Sequence, residues 1–203
     1  MPNKPAIAAI DVDDVLCPLN EHVAKIAGID YDKIVTFHTM DNHMLTDPEK
    51  QRLYAAYATP GMHRAMVFYQ GAKELAKALL DPRIDPWICS NSLDSQVIAE
   101  KKQGLMDLWG EDYSRFTEHF TLTTMDTSRE KKFPPGIWLI MDDSPLNAVA
   151  SGARRIVMPE KPWNTSGWGM SVLEPVLSRV IFYRDLYEAA NIIRTLADKD
   201  LSA

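Results

Sequence analysis

Apolar runs that end in polar residues recur along this chain, and the first sets the pattern. Ala6, Ile7, Ala8, Ala9 and Ile10 lead directly into Asp11, Val12, Asp13, Asp14 and Val15. A run of small and β-branched apolar residues predicts a buried strand, and the β-branched neighbours of Asp11 and Asp13 keep the backbone extended there. The two carboxylates are therefore expected to point the same way. Held that close, like charges repel unless a cation or a proton intervenes. Further short apolar runs predict strands at residues 86–90, closed by Ser90, Asn91 and Ser92, and at 120–124, closed by Asp126, Thr127 and Ser128. Residues 137–141 form another, ended by Asp142 and Asp143, and 155–158 and 180–183 complete the set.

Helical spacing separates these runs. Leu75, Ala78 and Leu79 mark a helix over 71–80, and Val97, Leu105 and Leu108 mark one over 93–109. A short helix is expected at 145–152, and Leu186, Ala190, Ile193 and Leu196 predict an amphipathic terminal helix with a frayed tail after Asp198. Residues 159–169, with Pro162, Trp163, Asn164 and Trp168, read as a loop too polar and Gly-rich for a core element. Strands alternating with helices predict an α/β fold on a parallel sheet, whose carboxyl edge is where ligands bind.

One tract departs from that alternation. Asn20 is expected to cap a short helix through Ala27 that stops at Gly28. Residues 31–69 are rich in Met, His and aromatic side chains, and their clear helix starts where Thr46 and Glu49 have capping-box spacing with Pro48 in the first turn. Leu53, Ala56 and Tyr57 supply its apolar face. Residues 18–69 thus read as a small helical insert over one edge of the sheet.

Composition narrows the function. A chain of 203 residues with 46% hydrophobic and 25% charged residues suits one globular core with an inserted subdomain. Its net charge of −6 argues against general nucleic-acid binding, because no basic face offsets a phosphate backbone. No apolar run approaches the length of a membrane span and no secretory segment precedes the first strand, so a cytoplasmic location is expected. Cys17 and Cys89 have no metal-site spacing and are expected as free thiols.

The strand ends carry the candidate chemistry: Asp11 with Asp13, Ser90 with Asn91, Lys131 or Lys132, and Asp142 with Asp143. Phosphoryl transfer needs these parts. A hard cation such as Mg²⁺ takes oxygen ligands, which Asp11 and Asp142 can supply from neighbouring strands. Asp11 can attack phosphorus to give an aspartyl-phosphate, while Asp13 protonates the leaving oxygen and later deprotonates water. Ser90 and a lysine ammonium would bind the phosphoryl oxygens.

Asp11-Val12-Asp13-x-Val15 after an apolar strand, Ser90 ending the next, a later Lys and then Asp142-Asp143 together resemble the haloacid dehalogenase phosphatase superfamily. The resemblance covers most of the chain. It implies a Rossmann-like three-layer parallel core at 1–17 and 70–203 with a helical cap at 18–69, a nucleophilic Asp11, and an acid/base Asp13 whose backbone carbonyl also binds Mg²⁺. Ile88-Cys89-Ser90-Asn91, the run from Leu122 to Lys131, and Leu139 to Pro145 look most like the 5'(3')-deoxyribonucleotidases, which implies a (deoxy)nucleoside monophosphate substrate. The Arg129-Glu130-Lys131 register favours Lys131 over Lys132. Asp14 departs from the glycine usual at that position.

Blander readings stand beside these. Ser90 alone suits a turn, lysines are usually solvated, and Asp143 or Ser144 can cap the helix at Pro145. Phe37, His38, Tyr54, Phe68 and Tyr69 offer faces for a nucleobase or a core for the insert, Trp163 and Asn164 border the cleft or pack the loop, and Asp143, Phe37 and Trp163 are candidates to touch the substrate or support the site. Competing functions are a phosphatase for another small phosphate ester or a nucleic-acid end, a phospho-accepting signalling module, and an inactive binding relative.

Overall fold

The computed structural model describes residues 4–36, 41–59, 61–92, 94–123 and 131–202, Ala65 by its backbone only. Strands β1 (Ala6–Ile10), β2 (Ile84–Ser92), β3 (Thr117–Leu122), β4 (Leu139–Met141), β5 (Arg155–Pro159) and β6 (Val180–Tyr183) form one sheet in the order β3-β2-β1-β4-β5-β6. Every pairing is parallel. Ala8 and Ile10 face one side, where they pack with α3 (Ala72–Leu79), α4 (Ser95–Trp109) and α8 (Leu186–Asp200). Ala9, Ile140 and Ile156 face the other, against α5 (Pro145–Ala150) and α7 (Gly167–Leu173). Alternate residues of each central strand thus feed two cores, which is why these strands read as continuous apolar runs. The result is a three-layer, Rossmann-like α/β arrangement.

After β1 the chain builds a third apolar cluster from α1 (Leu19–Ala27) and α2 (Asp47–Tyr57), with Leu19, Val23, Leu53 and Ala56 at its centre. Thr46 caps α2 through the expected capping box with Glu49, and Gly28 ends α1 at φ 64°. The expected cap of α1 is different: Pro18 occupies that position without a side-chain bond, and Asn20 lies inside the first turn.

Three other expectations are corrected. The strand expected at 120–124 runs instead over Thr117–Leu122, because an edge strand paired only with β2 needs no continuous apolar run. Residues 159–169 are not a loop: α6 (Pro162–Thr165) and the start of α7 lie there, with Trp163 and Asn164 fully buried. Gly169 permits that packing, since a Cβ there would sit 2.3 Å from the Trp163 carbonyl oxygen. The C-terminal helix continues past Asp198 to Asp200, whose carboxylate accepts from Arg155 at 2.8 and 2.9 Å and from the Trp138 indole at 3.2 Å. Phe37, His38 and Asp126 to Glu130 fall outside the described residues. Among the described residues no helix is long and apolar enough to cross a membrane.

Candidate active site

Strand order brings the two acidic strand ends together. β1 and β4 are adjacent, Ile10 stands beside Met141, and the Asp11 N–H donates to the Met141 carbonyl at 2.9 Å. Asp11 and Asp142 follow at the same level, at the point where the chain leaves β1 toward β2 and leaves β4 toward β5, in opposite directions, the place where such sheets open a crevice.

The turn after β1 is closed by Leu16 N–H to Val12 O and Asp14 N–H to Cys17 O, both 2.8 Å. Asp14 adopts φ 55°, the left-handed region that favours glycine but that Asp tolerates better than most residues. Its carboxylate accepts from the Asn20 N–H at 3.2 Å to both oxygens. Asp14 thus satisfies an orphan donor at the start of α1, the work Pro18 cannot do. Asn20 in turn accepts from the Tyr57 hydroxyl, tying the turn to α2. Burial pushes the Asp14 carboxyl up to about 7, against the pull of Lys161.

Lys131 is buried between the two strand ends, its ammonium 2.7 Å from Asp11 and 2.7 Å from Asp142, whereas Lys132 is exposed. Asp142 also accepts from Ser144 N–H and Asn147 Nδ2, each at 3.0 Å. Burial raises the Asp11 carboxyl to about 6 in spite of Lys131, with Asp142 and Asp13 adding to the rise. For Lys131, burial pushes the ammonium down and the Asp11 and Asp142 carboxylates more than reverse it. Asp143 lies well above the carboxylate range, first through burial and then through Asp14, Asp142 and Asp11. One carboxylate oxygen each from Asp11, Asp142 and Asp143 lie within 4.8 Å of one another. A single lysine cannot balance three buried carboxylates. This all-oxygen donor set with its excess of negative charge fits a hard divalent cation.

Asp143 is positioned by the segment read as a loop. The Trp163 indole donates to its carbonyl and its Oδ2, both at 3.1 Å, and Asn164 donates to its carbonyl at 3.2 Å. Trp163 is fully buried with an edge toward Tyr31, so it faces the apolar cluster of α1 and α2.

Asp13 stands outside the acidic trio. Its Oδ2 accepts from Lys101 Nζ at 2.6 Å, and the same ammonium donates to Ser90 Oγ at 3.1 Å and to the Asn91 carbonyl at 2.8 Å. Lys101 is 3% exposed, on the inner face of α4. His63 approaches from a short 3-10 turn, His63–Ala65, with Nδ1 3.9 Å from Asp13 Oδ1. Burial lowers the His63 pKa, while the Asp13 charge opposes that shift.

Asp11, Asp13, Ser90, Asn91, Lys131, Asp142 and Asp143 therefore meet at one sheet edge. Lys101, His63 and Asn147 escaped sequence reasoning. Lys101 left a signal, since it falls four residues from Val97 and from Leu105, on the apolar stripe where an unpaired lysine does not belong. His63 and Asn147 left none, because neither lies in a motif that sets its neighbours.

No family model and no curated protein matches the chain. Solved structures do. A predicted phosphatase from Clostridium acetobutylicum is 14% identical, with TM-score 0.59 over 96% of this chain and 100% of that one. A haloacid dehalogenase family hydrolase from Deinococcus radiodurans, with bound phosphate and sodium, is 18% identical, with TM-score 0.58 over 97% of each chain. A predicted phosphoglycolate phosphatase from Haemophilus somnus is 14% identical, with TM-score 0.56 over 95% and 99%. The chain has the fold these haloacid dehalogenase-type hydrolases share.

Proposed function

We propose that the protein is a Mg²⁺-dependent phosphomonoesterase acting through an aspartyl-phosphate on Asp11, with (deoxy)nucleoside monophosphates as its substrates. The observation that carries this reading is the division of partners between two neighbouring carboxylates. Asp11 belongs to the buried group of Lys131, Asp142 and Asp143, whereas Asp13 is held apart by Lys101. Two carboxylates in unlike surroundings suit a nucleophile beside an acid/base.

Asp11 attacks phosphorus, the ester oxygen leaves with a proton from Asp13, and Asp13 then takes a proton from the water that cleaves the acyl phosphate. Lys131 keeps Asp11 oriented and offsets phosphoryl charge, and Ser90 with Asn91 binds the phosphoryl oxygens. Asp11, Asp142 and the Asp13 backbone carbonyl would hold Mg²⁺, which supplies charge neutralisation and polarises the phosphoryl oxygens. Residues 18–69 act as the cap over a core of 1–17 and 70–203. The nucleotide preference rests on the motif likeness to the deoxyribonucleotidases, and a cytoplasmic nucleotide pool would supply such substrates.

The test is phosphate release from nucleoside monophosphates and from non-nucleotide phosphate esters, with and without Mg²⁺, beside Asp11→Asn. Release from nucleotides that falls about a thousandfold or more in Asp11→Asn supports the proposal. Turnover of sugar phosphates alone removes the nucleotide assignment, and wild-type release equal to that of the variant on every ester removes the phosphatase.

A further inference from the structure

Two neighbouring polar atoms have no hydrogen-bond partner among the described residues: Asp13 Oδ1 and His63 Nδ1. Both are buried, and they stand 3.9 Å apart. The separation is too long for a direct hydrogen bond, and leaving buried polar atoms unpaired is costly. Neither can turn to another partner cheaply. Lys101 already occupies Asp13 Oδ2 at 2.6 Å, and the turn carrying His63 is pinned to the same helix by Arg64 N–H on Glu100 Oε2 at 3.3 Å.

An oxygen at about 2.8 Å from each atom would subtend about 90° between them. Once Asp13 has given its proton to the leaving oxygen, its Oδ1 and an Nδ1 without a proton are two acceptors, so the oxygen that satisfies both must carry two hydrogens. Water is that species, and the angle is close to its own. We propose that His63 is a catalytic residue that, with Asp13, orients the hydrolytic water through both of its hydrogens. This rests on the phosphatase reading above.

In the step, the water oxygen forms a bond to phosphorus while the bond from phosphorus to the Asp11 oxygen breaks, and its electron pair returns to the Asp11 carboxylate. One water proton passes to Asp13. The other stays on the new phosphate oxygen, hydrogen-bonded to His63 Nδ1. His63 thus assists removal of the phosphoryl group and not its arrival.

The experiment is single-turnover rapid quench with p-nitrophenyl phosphate and Mg²⁺, following nitrophenolate for formation of the phosphoenzyme and acid-stable protein phosphate for its decay. His63→Asn places an acceptor oxygen where Nδ1 stood, His63→Gln reaches the Nε2 position, and His63→Ala has neither. Decay is expected to slow at least about tenfold in the Gln and Ala variants and to recover to within about threefold of wild type in Asn, with formation unchanged in all three. Equal decay in Asn and Gln, or equal losses in formation and decay, overturns the inference and leaves the phosphatase standing. A wild type that forms no phosphoenzyme and releases no phosphate from any ester removes the underlying reading instead.

Discussion

Asp14 shows how one side chain can serve two constraints. Its φ of 55° asks for glycine, and its carboxylate supplies the cap that α1 lacks. The two demands separate by substitution. Asp14→Gly removes the cap and keeps the backbone relaxed, whereas Asp14→Ala removes the cap and adds left-handed strain of about 1 kcal/mol. Thermal unfolding is expected to place Ala below Gly by roughly 2–4 °C for a chain of this size; identical midpoints would show that the turn is not strained. The same position explains why sequence motifs alone left Asp14 without a role: its partner is a backbone N–H six residues on, and composition carries no record of a backbone donor. Lys101 is the opposite case, since its place on an apolar stripe marks it as a buried cation in need of an anion.

At the scale of elements, α8 closes the sheet by its last turn. Asp200 joins that turn to β5 through Arg155 and to the start of β4 through Trp138. The Arg155 hydrogen bonds, helped by Trp138, hold its carboxyl at about 2, below the ordinary 3.8. A pKa depressed on folding means that the unfolded chain binds the proton more readily, so this stabilisation is present above about pH 4 and is lost as pH falls toward 2. Asp200→Asn is expected to lower stability by about 2 kcal/mol at pH 7 and to make the acid limb between pH 4 and pH 2 shallower. Denaturant midpoints across that range measure it, and parallel limbs in wild type and variant would refute it. Sequence patterning found α8 by its stripe of Leu186, Ala190, Ile193 and Leu196 but expected its end to fray. An ion pair to a residue 45 positions away sets that end.

For the whole molecule, the balance of buried charge decides how stability responds to a cation. Asp11, Asp142 and Asp143 converge at one sheet edge with Lys131 among them, and Asp14 lies close by. Mg²⁺ that binds only the folded state adds about 1.4 kcal/mol at tenfold over its Kd, a rise of roughly 3–6 °C in Tm. Asp142→Asn removes one ligand charge and is expected to lose most of that rise, while EDTA returns the wild type to its starting value. A Tm indifferent to Mg²⁺ in the wild type would argue against a cation at this cluster.

The order of strands and helices, the acidic strand ends and the capping box of α2 were determined by the sequence, because periodicity, propensity and capping are local and each residue reports its own state. Ser90, Lys131 and Asp142 were readable as candidates because apolar runs mark where strands stop. The tertiary structure alone decided who stands beside whom. It set Lys131 between Asp11 and Asp142, Lys101 on Asp13, Trp163 beneath Asp143 and His63 across from Asp13. Those contacts join residues as many as 120 positions apart. They depend on strand order and helix packing, which is a property of the folded chain as a whole and of no single stretch within it.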